Sequence, residues 1–413
     1  MKILQLSTFD SGGGAARSAC RLQKEFVKNN IDSRLYVQKK TLGDYWVQDD
    51  DRYIGKIRSL FAPHLENGFK KIFQTKLSKP FSLNIIPNPT LRKYIKSNNF
   101  DIVNLHWING GFFRLEELDF KKKYIWTLHD SWAFTGGCHI PYYCLEYEHN
   151  CEKCAMLKNK KLFNLAKTFW KKKKAIYEIL DMTVVAPSNW LAKCAQNSSL
   201  MNNKRIVVIP NGIDTSIYKP IEKKIAREIL NLPENKKIIC FGAISSTADE
   251  NKGYNYLKDA LKYLKTNCGN LDFEILIFGS DKPLTPENFG VPINYLGKVN
   301  DDYTLALVYS SADVFVAPSK SENLPNTVME SLACGRPVVA FDIGGMSDLI
   351  VNGSNGYLAK PYDAIELGKC LLRILLADNL AQYEVNARRK VVENFTIEHV
   401  ARKYIDLYEE INI

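Results

Sequence analysis

No stretch of this 413-residue chain approaches the roughly eighteen consecutive apolar residues that a bilayer-spanning helix needs, so a helical membrane span is not expected. A charged leader with a cleavage site is missing as well. MKILQLS reads from the first residue as a strand, and the expectation is a cytoplasmic, unsecreted protein. Despite a net charge of +11, the chain shows no zinc-finger helix, RRM strand or helix-turn-helix, which argues against nucleic acid as a partner. GxGxxG is also absent after the first strand, where Gly12, Gly13 and Gly14 stand in a row instead, and dinucleotide binding is disfavoured.

A chain this long exceeds what one hydrophobic core usually supports, which predicts two domains of similar size. Its charge is uneven: residues 1–193 carry 32 Lys and Arg against 18 Asp and Glu, while 194–413 carry 24 against 27. Lys70, Lys71, Lys121 to Lys123 and Lys171 to Lys174 gather near Phe69, Phe73, Phe81 and Trp170. Such a surface suits an anionic membrane or a diphosphate-bearing acceptor, or is simply a solvated lysine-rich face. Six of the ten cysteines are scattered singly and read as small core residues. The other four, Cys138, Cys144, Cys151 and Cys154, crowd into seventeen residues and end in CxxC. In a cytosolic chain that cluster suggests a structural zinc site more than disulfides, with free thiols as the alternative, since only the last pair has standard spacing.

One order of elements is written twice. MKILQLS leads through SGGGAARS and a helical run into SRLYVQ, and KIICFGAIS leads through a polar loop and GYNYLKDALKYLK into FEILIFGS. Each copy reads as the βαβ opening of a doubly wound α/β sheet. Further buried strands follow at DIVNLHW, YIWTLHD and MTVVAPS in the first half, and at INYLG, DVFVAPS and PVVAFD in the second. The expected architecture is two Rossmann-like domains, with a turn at Pro210, Asn211 and Gly212 near their boundary. Residues 40–100 read as the least regular region.

The most informative stretch is SENLPNTVME, which runs from the end of the strand ADVFVAPS into a helix predicted to start near Pro325 and Asn326. Ligands of open α/β sheets bind at strand carboxyl ends, where a helix N-terminus offers unpaired N–H groups to an anion. Glu322 and Glu330, with seven residues between them, add carboxylates that accept from a polyol. Phosphates on amides and hydroxyls on carboxylates describe a nucleotide sugar. The alternative is a capping acid and a helix-surface charge.

The pair resembles the Glu, seven residues, Glu signature of retaining family 4 glycosyltransferases, whose GT-B fold sets two Rossmann-like domains facing each other across a cleft. HWINGGFF, WTLHDSWAFTGGCHIP and VVIPNGID extend the likeness to a bacterial surface-polysaccharide subgroup of the colanic-acid or capsule type. The resemblance implies an acceptor domain at 1–200 joined by a returning helix at 396–413, and a donor domain at 201–395. It implies transfer from a nucleotide-diphosphate sugar, foremost a UDP-sugar, to a glycan or lipid-linked oligosaccharide. The setting would be capsule, exopolysaccharide or O-antigen synthesis, with the protein cytoplasmic or peripheral at the inner face of the membrane.

In this family's terms Glu322 binds donor-sugar hydroxyls and Glu330 the ribose. The backbone around Asn323, Leu324, Pro325 and Asn326 faces sugar or phosphate. Gly13 and Gly14 approach the diphosphate, and Gly242 ends the strand beside it. Lys252, before a predicted helix in ENKGYNYL, stabilises the leaving group, since preorganised cations there often dominate catalysis. Lys298 and Val299 hold the base. His129, at the end of YIWTL, contacts the donor sugar, and His106 with Asn109 lies on the acceptor side. The chain departs from the family at Ala243, where an arginine is common; Ser245, Ser246 or Arg17 are the candidates to compensate. No cofactor is expected for the chemistry. The rival readings are an inactive GT-B scaffold in an assembly complex and a GT-B epimerase or phosphorylase.

Overall fold

Short runs of apolar, β-branched residues form buried parallel strands, and the computed structural model carries thirteen strands among its described residues, 1–73, 80–157, 164–283 and 290–412. The side chains of Lys70 and Phe73 lie outside that description. In the first unit β1 (Lys2–Phe9), β2 (Asp32–Lys39), β3 (Val47–Gln48), β4 (Ile102–Leu105), β5 (Lys123–Thr127), β6 (Met182–Ala186) and β7 (Arg205–Val208) pair in the order β3-β2-β1-β4-β5-β6-β7. In the second, β8 (Lys237–Gly242), β9 (Phe273–Phe278), β10 (Ile293–Tyr295), β11 (Val314–Ala317), β12 (Val338–Phe341) and β13 (Gly356–Ala359) pair in the order β10-β9-β8-β11-β12-β13. All pairs are parallel. Strand order reverses between β1 and β4 and between β8 and β11, and the carboxyl ends at those two points are the ligand positions of a doubly wound sheet.

The chain divides into Met1–Pro210 with Val400–Ile413 and Asn211–His399. Both dividing points fall later than 200/201 and 395/396, the first because β7 pairs with β6 and belongs to the first sheet. Alternation along the first sheet splits its apolar residues between two faces. Leu4, Leu6, Val103, Leu105 and Trp126 enter one core, while Ile3, Ile102, Ile125 and Val185 enter another with Val400, Tyr404 and Tyr408 of the helix Ile397–Asn412. Two phenols tie that helix to the strands: Asn104 Nδ2 donates to Tyr408 Oη (2.7 Å), and Thr127 Oγ1 lies 3.1 Å from Tyr404 Oη.

Residues 40–100 are more regular than expected. They contain β3, a helix over Pro89–Ser97 and the 21-residue helix Tyr53–Phe73, which carries Pro63 inside it. Proline and the scattered apolar residues hid this helix from periodicity. One face is pinned inward: Glu66 Oε1 accepts from Leu83 N (2.9 Å) and Arg58 Nη2 donates to Gly111 O (2.7 Å). The other exposes Tyr53, Ile54, Leu60, Phe61 and Leu65. No helix among the described residues is long and apolar enough to cross a membrane.

Candidate active site

In the second unit the loop after β11 is clamped from both sides. Gly253 (φ +72°) and Gly344 (φ +54°) have left-handed backbone, and a Cβ on either would meet Pro318 O or Glu322 O at 1.8 Å, so only glycine fits. Asn251 Nδ2 donates to Ser321 O (2.8 Å), and Lys320 N donates to Asn251 O (2.8 Å). Held this way, Glu322 Oε1 lies 2.6 Å from Lys252 Nζ, both partly buried. Burial works against the Lys252 ammonium, but the charge and hydrogen bond of Glu322 outweigh it and raise its pKa above 10.5. The pair shares a small pocket with Gly242, Ala243, Ser319 and Thr327. Beside it the helix Asn326–Ala333 begins after Pro325 with no side-chain cap, as the sequence predicts.

The other expected donor residues divide. Glu330 is fully buried, with Tyr309 Oη donating to its Oε2 (3.0 Å), so in this arrangement the carboxylate faces the core and is closed to a ribose. Leu324 likewise points into the core, leaving only its backbone for a ligand. The ends of β8, β9 and β10 lie side by side: Gly279 N donates to Gly297 O (2.7 Å), next to exposed Lys298 and half-buried Val299. Ser246 Oγ donates to Phe278 O (2.9 Å) from a fully buried position, which removes it as a substitute for the arginine missing at Ala243. Ser245 is exposed.

In the first unit Gly12 (φ +70°) and Gly13 (φ +90°) turn β1 into the helix Gly14–Lys28, whose N-terminus has no side-chain cap and no acidic residue in its first turn. His106 and His129 follow β4 and β5, and their rings meet: His106 Nδ1 lies 3.0 Å from His129 Nε2. Burial pushes the His129 pKa down to about 4 and that of His106 well below 6.5, so both are neutral imidazoles at pH 7. Asp130 turns away from His129. It accepts from Trp107 Nε1 (2.9 Å) and Trp132 N (2.8 Å) and lies 2.5 Å from His139 Nδ1. Burial would raise its pKa, but His139 and these donors lower it overall. Asn109 is buried, and its Oδ1 has no hydrogen-bond partner.

The Glycosyltransferase Family 4 model matches residues 12–217, and the Glycosyl transferases group 1 model matches residues 235–377. The chain belongs to the GT4-type glycosyltransferases. It is 24% identical over 265 residues to the alpha-maltose-1-phosphate synthase of Mycolicibacterium smegmatis, covering 59% of this chain and 66% of that protein. It is 28% identical over 214 residues to the UDP-Gal:alpha-D-GlcNAc-diphosphoundecaprenol alpha-1,3-galactosyltransferase of Escherichia coli, covering 49% of this chain and 54% of that one. The chain thus spans about two thirds or less of the length of each. In fold it is similar to the sucrose-phosphate synthase of Thermosynechococcus elongatus, with a TM-score of 0.70 at 18% identity over 99% of this chain and 98% of that one. The architecture is GT-B.

This GT4-type chain also brings together residues that sequence reasoning did not single out. Phe9 stacks on Trp107 (centroids 5.9 Å apart) near the ends of β1 and β4, a half-exposed aromatic pair. HW in NLHWINGG was its signal. Gly344 and Gly345 support the Glu322 loop, with Gly345 N donating to Glu322 O (3.4 Å), and the pair GG after PVVAFD was theirs.

The zinc expectation fares differently. Cys138, Cys144, Cys151 and Cys154 do line one small cavity, and all are free thiols. Yet among the described residues no three His, Cys, Asp or Glu side chains are arranged to hold a metal ion, and Cys151 Sγ accepts from Gly136 N (3.1 Å) instead. Burial pushes the Cys138 and Cys151 thiols up to about 12, which keeps them protonated. As placed, the cluster packs a core and does not fit a tetrathiolate.

Proposed function

We propose that this chain transfers a sugar, with retention, from a nucleotide-diphosphate sugar to a hydroxyl of a glycan or lipid-linked oligosaccharide in bacterial surface-polysaccharide synthesis. The observation that carries this reading is Lys252 paired with Glu322 beside an uncapped helix N-terminus, at the strand-order reversal of the second sheet. Lys252 and the helix N-terminus suit the negative charge that grows on a departing diphosphate, and Glu322 suits the sugar hydroxyls. The acceptor hydroxyl attacks the anomeric carbon from the leaving group's own face. As the bond to the phosphate oxygen breaks, that oxygen takes the acceptor's proton. This route fits a pocket whose one lining carboxylate, Glu322, is already engaged by a cation. A UDP-sugar is the first donor to try, since UDP-Gal is the donor named for the Escherichia coli relative.

The exposed apolar face of the helix Tyr53–Phe73, in a half of the chain with excess Lys and Arg, supports docking on an anionic membrane that carries the acceptor. A second reading, an inactive scaffold, is favoured by Ala243, which leaves Lys252 as the cation lining the pocket.

A thermal-shift screen against UDP, GDP, ADP and dTDP and their sugars tests the reading. Ligand at a hundredfold excess over its Kd adds about 2.7 kcal/mol of stability. Stabilisation by one nucleotide family, lost in Glu322→Ala, is the expected result. No response to any nucleotide would sink the transferase reading in favour of the scaffold, and failure to co-sediment with anionic vesicles would sink the membrane part alone.

A further inference from the structure

A chain of hydrogen bonds runs through the first unit from a backbone carbonyl to His129. Gln23 Nε2 lies 3.2 Å from Ser33 O and 2.9 Å from Ser33 Oγ. A backbone carbonyl only accepts, so the Gln23 nitrogen must face Ser33 and its oxygen must face the other way. That oxygen accepts from Gln5 Nε2 (2.6 Å), which turns the Gln5 oxygen toward His106 Nε2 (2.7 Å). The His106 Nε2 therefore carries hydrogen. In a neutral ring the other nitrogen is then a bare acceptor, so across the 3.0 Å gap to His129 Nε2 it is His129 that donates.

We propose that Gln23, Gln5 and His106 are positioning residues that hold His129 as its neutral Nε2–H tautomer. Depth keeps the setting stable: Gln5 and Gln23 are fully buried and His106 nearly so, and each link leaves the next a single orientation. Gln23 sits on the helix Gly14–Lys28, and the chain of bonds links it to His129 through Gln5 and His106.

Two-bond 1H–15N correlation spectra of the full-length protein with 15N-histidine read the tautomer of each of its six imidazoles, with His129→Gln assigning the signal. At pH 7 both His106 and His129 are expected as neutral Nε2–H forms. In Gln23→Leu the Gln5 amide is released to turn over, and the His129 signal is expected to move toward Nδ1–H, a change that loss of packing alone does not cause. An Nδ1–H or doubly protonated His129 in the native protein overturns the proposal, and needs no variant to fold. An unmoved His129 in folded Gln23→Leu overturns the relay.

Discussion

The two sheets share one strand order over six strands, the first adding β7 at its edge, yet they equip their reversal points differently. At the ends of β4 and β5 the first unit sets two neutral imidazoles backed by two glutamine amides, and turns the carboxylate of Asp130 to His139. At the ends of β8 and β11 the second sets an ammonium against a carboxylate. The contrast runs into the cores. Asp313, at the start of β11, is buried against Arg227 (2.8 Å) and Lys223 (2.8 Å), whereas the first sheet buries Gln5, Asn104 and Thr127. Neutral amides orient a group without attracting charge, and ion pairs meet charge that develops. One topology thereby provides one site suited to hydroxyls and one suited to a diphosphate.

Breaking the buried groups should show this difference most strongly. Asp313→Ala removes the carboxylate paired with buried Arg227, leaves Lys223 only Glu384, and should cost about 3–5 kcal/mol. Gln5→Leu leaves only neutral partners unsatisfied and should cost about 1–3 kcal/mol. Denaturant midpoints compare them, and equal costs would erase the distinction.

At the site itself, Lys252→Met should lower kcat about a hundredfold to a thousandfold, the usual loss when one preorganised partner of developing charge is removed. Transfer assays check this, and a change below tenfold would show that Lys252 does not meet the leaving group.

Acid and base should separate the two sites by a smaller margin. His129 has its pKa depressed from 6.5 to about 4, so the folded state resists a proton that the unfolded chain accepts. The stability it supports is present above pH 6.5 and is lost as pH falls toward 4. Lys252 has its pKa raised, so its contribution is present below pH 10.5 and lost as pH rises through the higher value. Melting temperatures across pH should show His129→Gln flattening the acid side and Lys252→Met the alkaline side. The same slope in both variants would contradict the assignment.

Some of this was legible because it is local. A buried parallel strand needs an apolar run and little else: β4, β6, β8, β9, β10, β11 and β12 all lie within the runs read as strands, and β1 and β5 overrun theirs by two residues and one. A helix beginning after Pro325 and a lysine before GYNYL place Lys252 and Glu322 at strand ends by chain order alone. The helix Tyr53–Phe73 was illegible because its buried face holds Glu66 and Arg58, polar residues whose partners lie elsewhere in the chain. The burial of Glu330 was illegible because helical spacing gives its distance along the axis, while whether that side faces solvent or Tyr309 depends on the neighbouring helix.

Sequence by itself therefore determined the two doubly wound sheets and which loops stand at their carboxyl ends, since both follow from periodicity and the order of elements. Only the tertiary structure decided that Lys252 meets Glu322, that Asp130 turns to His139 and away from His129, and that Ser33, nearly a hundred residues before His129, is tied to its imidazole by hydrogen bonds. Those are contacts between residues far apart in the chain, and their direction depends on which donor and acceptor packing brings within 3 Å or so of each other.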